Sequence, residues 1–217
     1  MNTGPAHPGA PRRRPLILFG GSFDPPQLAH RFLVDAARRA HPEACILVIP
    51  AGRPPHKLDR SLSDDDQRLE LCEIAFSGIR DVRVSDEELH ATEPNYTWKT
   101  LARHRAELGP DVPLYWLLGS DSLLDLPHWR KPDRILELAR ILTVPRPGFD
   151  VAKLADLPGL TAEQKQALRE GILPEEAPPI AATEIRQALA AGEDCSDELD
   201  PRVLAAIRQL GMYETAG

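Results

Sequence analysis

Short apolar runs alternate along the chain with amphipathic segments, and this alternation constrains the fold more than any other feature of the sequence. Most of the runs are continuous rather than alternating with polar residues, as expected for parallel strands that are covered on both faces. Parallel strands need crossover connections, which the amphipathic segments supply as helices. The sequence therefore predicts a parallel sheet with strands at 16–19, 45–49, 82–84, 114–118 and 141–144.

The amphipathic segments predict the helices of a Rossmann-like α/β fold, with helices on both faces of the sheet. The crossover helices are predicted at 28–40, 64–76, 97–107 and 133–139. After about residue 150 the pattern changes to a small helical C-terminal portion (150–217), with helices at 161–170, 183–190 and 201–209. A chain of 217 residues suffices for one sizeable core, so we expect a single domain over 15–217. Residues 1–14, rich in Pro, Gly and Arg, are expected to form a disordered tail.

The net charge and the cysteines indicate which partners and which compartment to expect. A formal net charge of −7 argues against a general nucleic-acid binder, which needs a basic face. No apolar run approaches the roughly 20 residues that a membrane-spanning helix requires. The three cysteines are dispersed, a pattern that fits neither a disulfide framework nor a zinc site. We expect a cytoplasmic protein without nucleic-acid or membrane partners, and the sequence leaves open whether it forms a homo-oligomer.

The loop between the first strand and the first helix carries the strongest functional signal. Residues 20–26 read Gly-Gly-Ser-Phe-Asp-Pro-Pro, and the helix is predicted to begin near Leu28. Paired glycines let the backbone approach a ligand, and a helix N-terminus offers free N–H groups to an anion. Gln27 and His30 are three residues apart, so both side chains can face the same site. A simple turn is the alternative, but the accompanying Ser, Asp-Pro and His favour a phosphate site.

These residues carry a resemblance to a known family. Residues 20–30 resemble the nucleotidyltransferase signature G-G-[ST]-F-D-P-x-H-x-G-H, and within that superfamily the chain most resembles the bacterial nicotinate-nucleotide adenylyltransferases. Six further segments are similar to that family's motifs, in order: 54–57 (P-P-H-K), 95–101 (S-Y-T-x-x-T-L), 119–123 (G-x-D-S-L, followed by Trp129), 144–148 (R-P-G), 180–186 (I-S-[AS]-T-x-I-R) and 210–213 (the usual ending). The resemblance covers nearly the whole chain after residue 15.

The resemblance implies an enzyme of NAD biosynthesis that joins ATP and nicotinate mononucleotide to give deamido-NAD and pyrophosphate, with Mg²⁺ accompanying ATP. It implies catalytic roles for His30, Lys57 and Arg186, and mononucleotide binding by Thr97, Trp98 and Trp129. No metal ligand from the chain is implied. The residues implied to bind ATP are Gly20, Gly21, Ser22, Phe23, Gln27, His30, Gly119, Asp121, Arg146, Thr183 and Arg186.

Local rules add expectations for the helix starts. Thr97 is a plausible N-cap with Trp98 at the first helical position, and Thr183 as an N-cap would place Arg186 at the third. Asp121, at the end of an apolar strand, could cap a short helix as well as contact the nucleotide. The acidic run 64–66 is most simply a capped helix start with acids in the first turn, rather than a metal site.

Three residues depart from the family pattern. Gln27 replaces the first histidine of H-x-G-H, Ala29 replaces its glycine, and Ala181 replaces the serine of I-S-x-T. Gln27 can still donate a hydrogen bond but carries no charge, and a charge-assisted bond is roughly twice as strong. Two alternatives to the main interpretation therefore stay open. One is a sister nucleotidyltransferase with another phosphate acceptor, and the other is a nucleotide-binding homologue whose catalysis has weakened.

Overall fold

The computed structural model describes residues 14–55 and 62–213, which form one parallel sheet flanked by helices. The strands are β1 (Leu16–Gly21), β2 (Cys45–Pro50), β3 (Val82–Val84), β4 (Leu114–Gly119) and β5 (Arg140–Val144). Their order across the sheet is β3-β2-β1-β4-β5, and each neighbouring pair is parallel. This is a doubly wound, Rossmann-like arrangement, and it confirms the parallel sheet with helices on both faces that the alternating pattern predicts.

The helices connect the strands and continue beyond the sheet. They are α1 (Leu28–Ala40), α2 (Asp65–Phe76), α3 (Thr97–Leu108), α4 (Ser120–Asp125), α5 (Pro132–Leu138), α6 (Ala162–Glu170), α7 (Ala182–Ala190) and α8 (Pro201–Gln209). Short 3₁₀ turns occupy Leu126–His128 and Val151–Asp156. None of the helices in the described part of the chain combines the length and apolar character needed to cross a membrane.

Two hydrophobic clusters, one on each face of the sheet, form the core. Successive side chains of a strand point to opposite faces, so Ile17 and Phe19 of β1 enter one cluster and Leu18 enters the other. The first cluster contains side chains from α1, α2, α7 and α8, and the second contains side chains from α3, α4, α5 and α6. The C-terminal helices are thus divided between the two layers.

The carboxyl ends of β1 and β4 form the topological switch point. These two strands are neighbours, but the chain leaves β1 towards α1 on one face and leaves β4 towards α4 on the other. In open parallel sheets a crevice forms where adjacent connections diverge in this way, and ligands bind there. The fold therefore brings the glycine loop after β1 to the same edge as Gly119 at the end of β4.

The predicted elements are confirmed to within one or two residues, but three helix starts differ from the expectations. Helix α3 is capped by Tyr96, so Thr97 and Trp98 are its first and second residues. Helix α7 is capped by Ala181, which makes Thr183 the second helical residue and Arg186 the fifth. Gly119, rather than Asp121, caps α4. These caps are extended residues whose side chains make no capping hydrogen bond, so a search for capping side chains cannot find them.

Candidate active site

Packing fixes the end of β1, which includes Gly20 and Gly21, and the loop that follows the strand. A Cβ on Gly20 would lie 2.5 Å from the indole ring of Trp116 in β4, so only glycine fits against that side chain. Phe23 adopts a left-handed backbone conformation with φ of 46°, which is uncommon for a bulky residue and is found mainly where the surroundings determine it. The Phe23 ring is buried edge-to-face against Phe19 and Phe76. The loop is therefore preorganised.

His30 lies in the first turn of α1 with a defined ring orientation. The backbone N–H of Gln27 donates to His30 Nδ1 at 3.1 Å, so the proton of the neutral imidazole is on Nε2. The ring is also held by an edge contact to Phe23, with centroids 4.9 Å apart. One helix N–H is already used, since Leu28 donates to the carbonyl of Glu198 at 2.8 Å. With Nδ1 as the acceptor, the ring nitrogen of His30 that can donate a hydrogen bond is Nε2.

Asp24 connects the loop to distant parts of the chain. Its carboxylate is buried and accepts a hydrogen bond from the Tyr213 hydroxyl at 2.7 Å. Arg186 of α7 donates to the Asp24 backbone carbonyl, and its other nitrogen donates to Thr183 Oγ1 at 3.1 Å. Burial, followed by the nearby negative charge of Asp24, raises the pKa of Tyr213. Arg186 is thus a largely buried cation held beside the loop.

Arg68 in α2 is a residue that sequence reasoning missed. Its side chain is fully buried, and its guanidinium donates to the carbonyl of Ser22 at 2.8 Å and to the carbonyl of Ser63 at 3.0 Å. A third bond and an ion pair join it to Asp65. The same group therefore fastens the phosphate loop to the segment that precedes α2. A charge on the buried face of α2, in register with Leu71 and Cys72, was the available signal.

A second cluster lies at the end of β4. Arg146 donates to Asp121 at 2.9 Å and to the carbonyl of Ile180 at 2.8 Å, while its backbone N–H donates to Ser120 Oγ at 2.8 Å. A Cβ on Gly119 would lie 2.5 Å from Asp121 Oδ1, so glycine is needed for this pair to pack over the strand end. The segment 180–186 links both clusters, because it contacts Arg146 at one end and Asp24 at the other.

A third group lies at the start of α3 and at the end of the 3₁₀ turn that precedes α5, on the sheet face opposite α1. Trp98 and Trp129 both pack partly buried against the second hydrophobic cluster. Trp129 donates its indole N–H to Asp125 at 3.2 Å, whereas the Trp98 indole N–H is buried without an acceptor among the described residues. Asn95 exchanges two hydrogen bonds with the backbone of Arg53, at 2.6 and 2.9 Å. The start of α3 is thus fixed to the loop that follows β2.

The predicted site residues therefore fall into three groups along the carboxyl edge of the sheet. The first group holds Gly20, Gly21, Ser22, Phe23, Gln27, His30, Thr183 and Arg186, the second holds Gly119, Asp121 and Arg146, and the third holds Thr97, Trp98 and Trp129. Lys57, its neighbour His56 and the N-terminal tail through residue 13 lie outside the described residues. The acidic run 64–66 caps α2 as predicted, with Asp64 accepting from two backbone N–H groups.

The described residues contain no group of three His, Cys, Asp or Glu side chains that could hold a metal ion. The three cysteines are free, and burial raises the pKa of the Cys72 thiol. The carboxyl edge carries two arginines, Arg146 and Arg186, and each guanidinium lies close to an aspartate. Guanidinium groups suit phosphate recognition because their planar array of donors matches phosphate oxygens. The edge is therefore equipped to bind a phosphorylated ligand.

Comparisons with known proteins agree with this geometry. The model of the cytidylyltransferase-like family matches residues 18–188. A probable nicotinate-nucleotide adenylyltransferase of Roseiflexus sp. (strain RS-1) is 36% identical over 202 residues, which cover 92% of this chain and 98% of that protein. Its counterpart in Cronobacter sakazakii is 34% identical over 209 residues, covering 91% and 95%. The structure of Plasmodium falciparum nicotinic acid mononucleotide adenylyltransferase complexed with NaAD is similar in fold, with a TM-score of 0.71, 20% identity and coverage of 93% and 98%.

Proposed function

The chain belongs to the cytidylyltransferase-like family, to the nicotinate-nucleotide adenylyltransferases within it, and we propose that it transfers the adenylyl group of ATP to nicotinate mononucleotide. The products are deamido-NAD and pyrophosphate. The observation that carries the proposal is the orientation of His30 at the switch point. The Gln27 backbone N–H donates to its Nδ1, and the segments that carry Arg146 and Arg186 lie at the same edge of the sheet. The relatives of similar length, named for this activity, support the choice of acceptor.

The reaction needs alignment and charge stabilisation rather than a covalent enzyme intermediate. A phosphate oxygen of the mononucleotide attacks the α-phosphorus of ATP, the bond from that phosphorus to the bridging oxygen breaks, and pyrophosphate leaves. His30 Nε2–H donates to the α-phosphate, where negative charge develops in the transition state. The loop amides at 20–23 and Gln27 bind the phosphate oxygens. Because Gln27 is neutral, Arg186 and Lys57 supply the positive charge that stabilises the phosphates.

Segment 180–186 brings the nucleotide groups together in the proposal. Arg186 binds the triphosphate from the start of α7, and Thr183 orients its guanidinium. Ala181 stands where the family has a serine. Its methyl group can form no hydrogen bond, so it takes no part in binding the triphosphate. Asp121 and Arg146 bind the nucleoside portion of ATP at the end of β4. Thr97 binds the nicotinate carboxylate through the N-terminus of α3, with Trp98 beside it, and Trp129 stacks on the pyridine ring.

Mg²⁺ enters as part of the substrate in this proposal. Magnesium usually keeps several waters and is bound by substrate phosphates with one or two carboxylates, so it needs no cage built from the chain. The metal neutralises charge on the triphosphate when bound, while the residues of the chain orient the phosphates. The free cysteines fit a reducing compartment, and we place the reaction in the cytoplasm.

A panel of acceptors tests the proposal. Purified protein is incubated with ATP, Mg²⁺ and either nicotinate mononucleotide, nicotinamide mononucleotide or pantetheine phosphate, and pyrophosphate is measured. We expect release to be fastest with nicotinate mononucleotide. Release only with another acceptor would indicate a sister nucleotidyltransferase, and ATP binding without release would indicate the weakened homologue.

The His30→Ala variant, measured with the same acceptors, tests the proposed role of His30. We expect turnover to fall by about 100- to 1,000-fold, as when one donor to a developing oxyanion is removed. The thermal unfolding curve should change little, because His30 is only half-buried at the start of its helix. Turnover near that of the wild type would exclude the assigned role of His30.

A further inference from the structure

Lys131 places a positive charge over one tryptophan of the third group, Trp98, and follows the other, Trp129, closely in sequence. It lies two residues after Trp129, at the cap of α5, and its Nζ is 4.0 Å from the centroid of the Trp98 ring. The side chain is exposed, and it makes no ion pair within the part of the chain that the structure describes. A cation over an indole face is held by the ring quadrupole, so the ammonium has a preferred place while keeping its full charge.

The acids around Lys131 are engaged elsewhere. Asp125 accepts the indole N–H of Trp129 at 3.2 Å and also contacts His128 at 3.1 Å. Asp133, in the first turn of α5, accepts from Gln164 at 3.0 Å. The nearby Lys99 is different, since Glu93 neutralises it at 2.9 Å. Unlike Lys99, Lys131 forms no ion pair with an acid among the described residues.

The backbone at Lys131 supports a fixed position. Its φ and ψ of 57° and 60° are left-handed, which is uncommon for a residue other than glycine, asparagine or aspartate. Such conformations persist where the surroundings determine them, and they cluster at ligand-binding sites. From this turn the side chain reaches the Trp98 ring of α3 while it remains exposed to solvent.

We propose that Lys131 is a specificity-determining residue that favours the acid mononucleotide over its amide counterpart. This inference rests on the proposed function, in which Trp98 and Trp129 surround the pyridine end of the acceptor. The acid form carries a carboxylate on the ring at neutral pH, whereas the amide form carries a neutral group in the same place. A cation at that end of the site distinguishes the two by charge.

The two acceptors should respond to Lys131 with opposite signs. Both carry a positive charge on the ring nitrogen, which the ammonium repels, but only the acid adds a carboxylate that the ammonium attracts. Lys131 therefore helps the acid and hinders the amide. A role limited to joining α3 and α5 would instead affect both acceptors equally, because both need the same tryptophans.

The test compares kcat/KM for nicotinate and nicotinamide mononucleotide in the wild type and in Lys131→Met. We expect the ratio of acid to amide to fall about two- to fivefold, as for an exposed ion pair. The value for the acid should decrease and the value for the amide should stay equal or increase. Lys131→Arg should keep most of the ratio, and Lys99→Met is the matched control that should leave it unchanged.

Ionic strength gives an independent readout of the same charge. Raising the salt concentration should reduce the acid-to-amide ratio of kcat/KM in the wild type and leave it unchanged in Lys131→Met. Both acceptors carry the same phosphate, so the effect of salt on phosphate binding cancels in this ratio. An unchanged ratio in Lys131→Met, or an equal loss for both acceptors, would overturn the inference. Absence of pyrophosphate release from the wild type with either acceptor would instead overturn the proposed function, so the two failures are distinguishable.

Discussion

Arg68 carries a charge into the interior of the protein, where its side chain has no exposed surface. Burying a guanidinium is costly unless its donors are satisfied, and here two carbonyls and one carboxylate satisfy them. The two carbonyls belong to Ser22, in the predicted phosphate loop, and to Ser63, 41 residues further along the chain and just before α2. Arg68 therefore positions the loop without touching a ligand in our proposal.

Replacing Arg68 with methionine should destabilise the protein strongly. The substitution removes the guanidinium from the carbonyl of Ser22 and from the carboxylate of Asp65, and breaking a buried pair costs about 3–5 kcal/mol. The free energy of unfolding from urea titration measures the effect. Arg103→Met, which removes an exposed arginine paired with Glu87 at 3.2 Å, is the control and should cost about 1 kcal/mol or less. Equal losses in the two variants would contradict the role of Arg68.

At the level of single residues, the sequence identified the groups with recognisable chemistry and missed those that act through distant partners. His30 and Gln27 were singled out because residues three apart at a helix start can share a face, and the structure joins them through the Gln27 backbone N–H. The contacts of Asp24 with Arg186 and Tyr213 join residues that are 162 and 189 positions apart. Periodicity and capping rules describe only local structure, so they could not reveal those pairs.

Among the elements, the strands were predicted best and the helix starts least well. Continuous apolar runs indicate buried parallel strands directly, and each predicted run lies within an observed strand. Thr97 and Thr183 have the side chains of N-caps but lie inside their helices, and Thr183 accepts from Arg186 instead. A helix begins where the backbone turns, and at Tyr96 and Ala181 tertiary packing rather than a capping side chain sets that point.

The segment after α8 returns to the phosphate loop through the Tyr213 hydroxyl, and this contact should make stability depend on alkaline pH. The folded protein raises the pKa of Tyr213 above its usual value of about 10, first by burial and then by the charge of Asp24. At pH above about 10 the unfolded chain releases this proton while the folded chain keeps it, so stability falls as pH rises.

Comparing the wild type with Tyr213→Phe isolates this effect. The difference in unfolding free energy between the two proteins should be constant from pH 7 to 9 and should then shift in favour of the variant above pH 10. Urea titration at each pH measures it. Tyr96→Phe, which alters a half-buried tyrosine at the cap of α3, is the control for general alkaline effects. A difference that does not vary with pH would contradict the burial of Tyr213 against Asp24.

At the scale of the whole molecule, the order of the strands explains why the motifs are scattered in sequence. Strands β1 and β4 are almost 100 residues apart along the chain but adjacent in the sheet, so their loops share one edge. The alternating pattern predicted a parallel sheet but not this order, because the pairing of strands depends on contacts between distant segments. Segment 180–186 then joins the two clusters, which gives the C-terminal portion a place in the site.

The central claim is that a phosphate oxygen of the mononucleotide attacks the α-phosphorus of ATP. Nicotinate mononucleotide labelled with ¹⁸O on its phosphate tests this claim directly when the protein converts it in the presence of ATP and Mg²⁺. Mass spectrometry of the products should find all the label in the dinucleotide and none in pyrophosphate. Label in pyrophosphate, or release of AMP in place of pyrophosphate, would contradict the account.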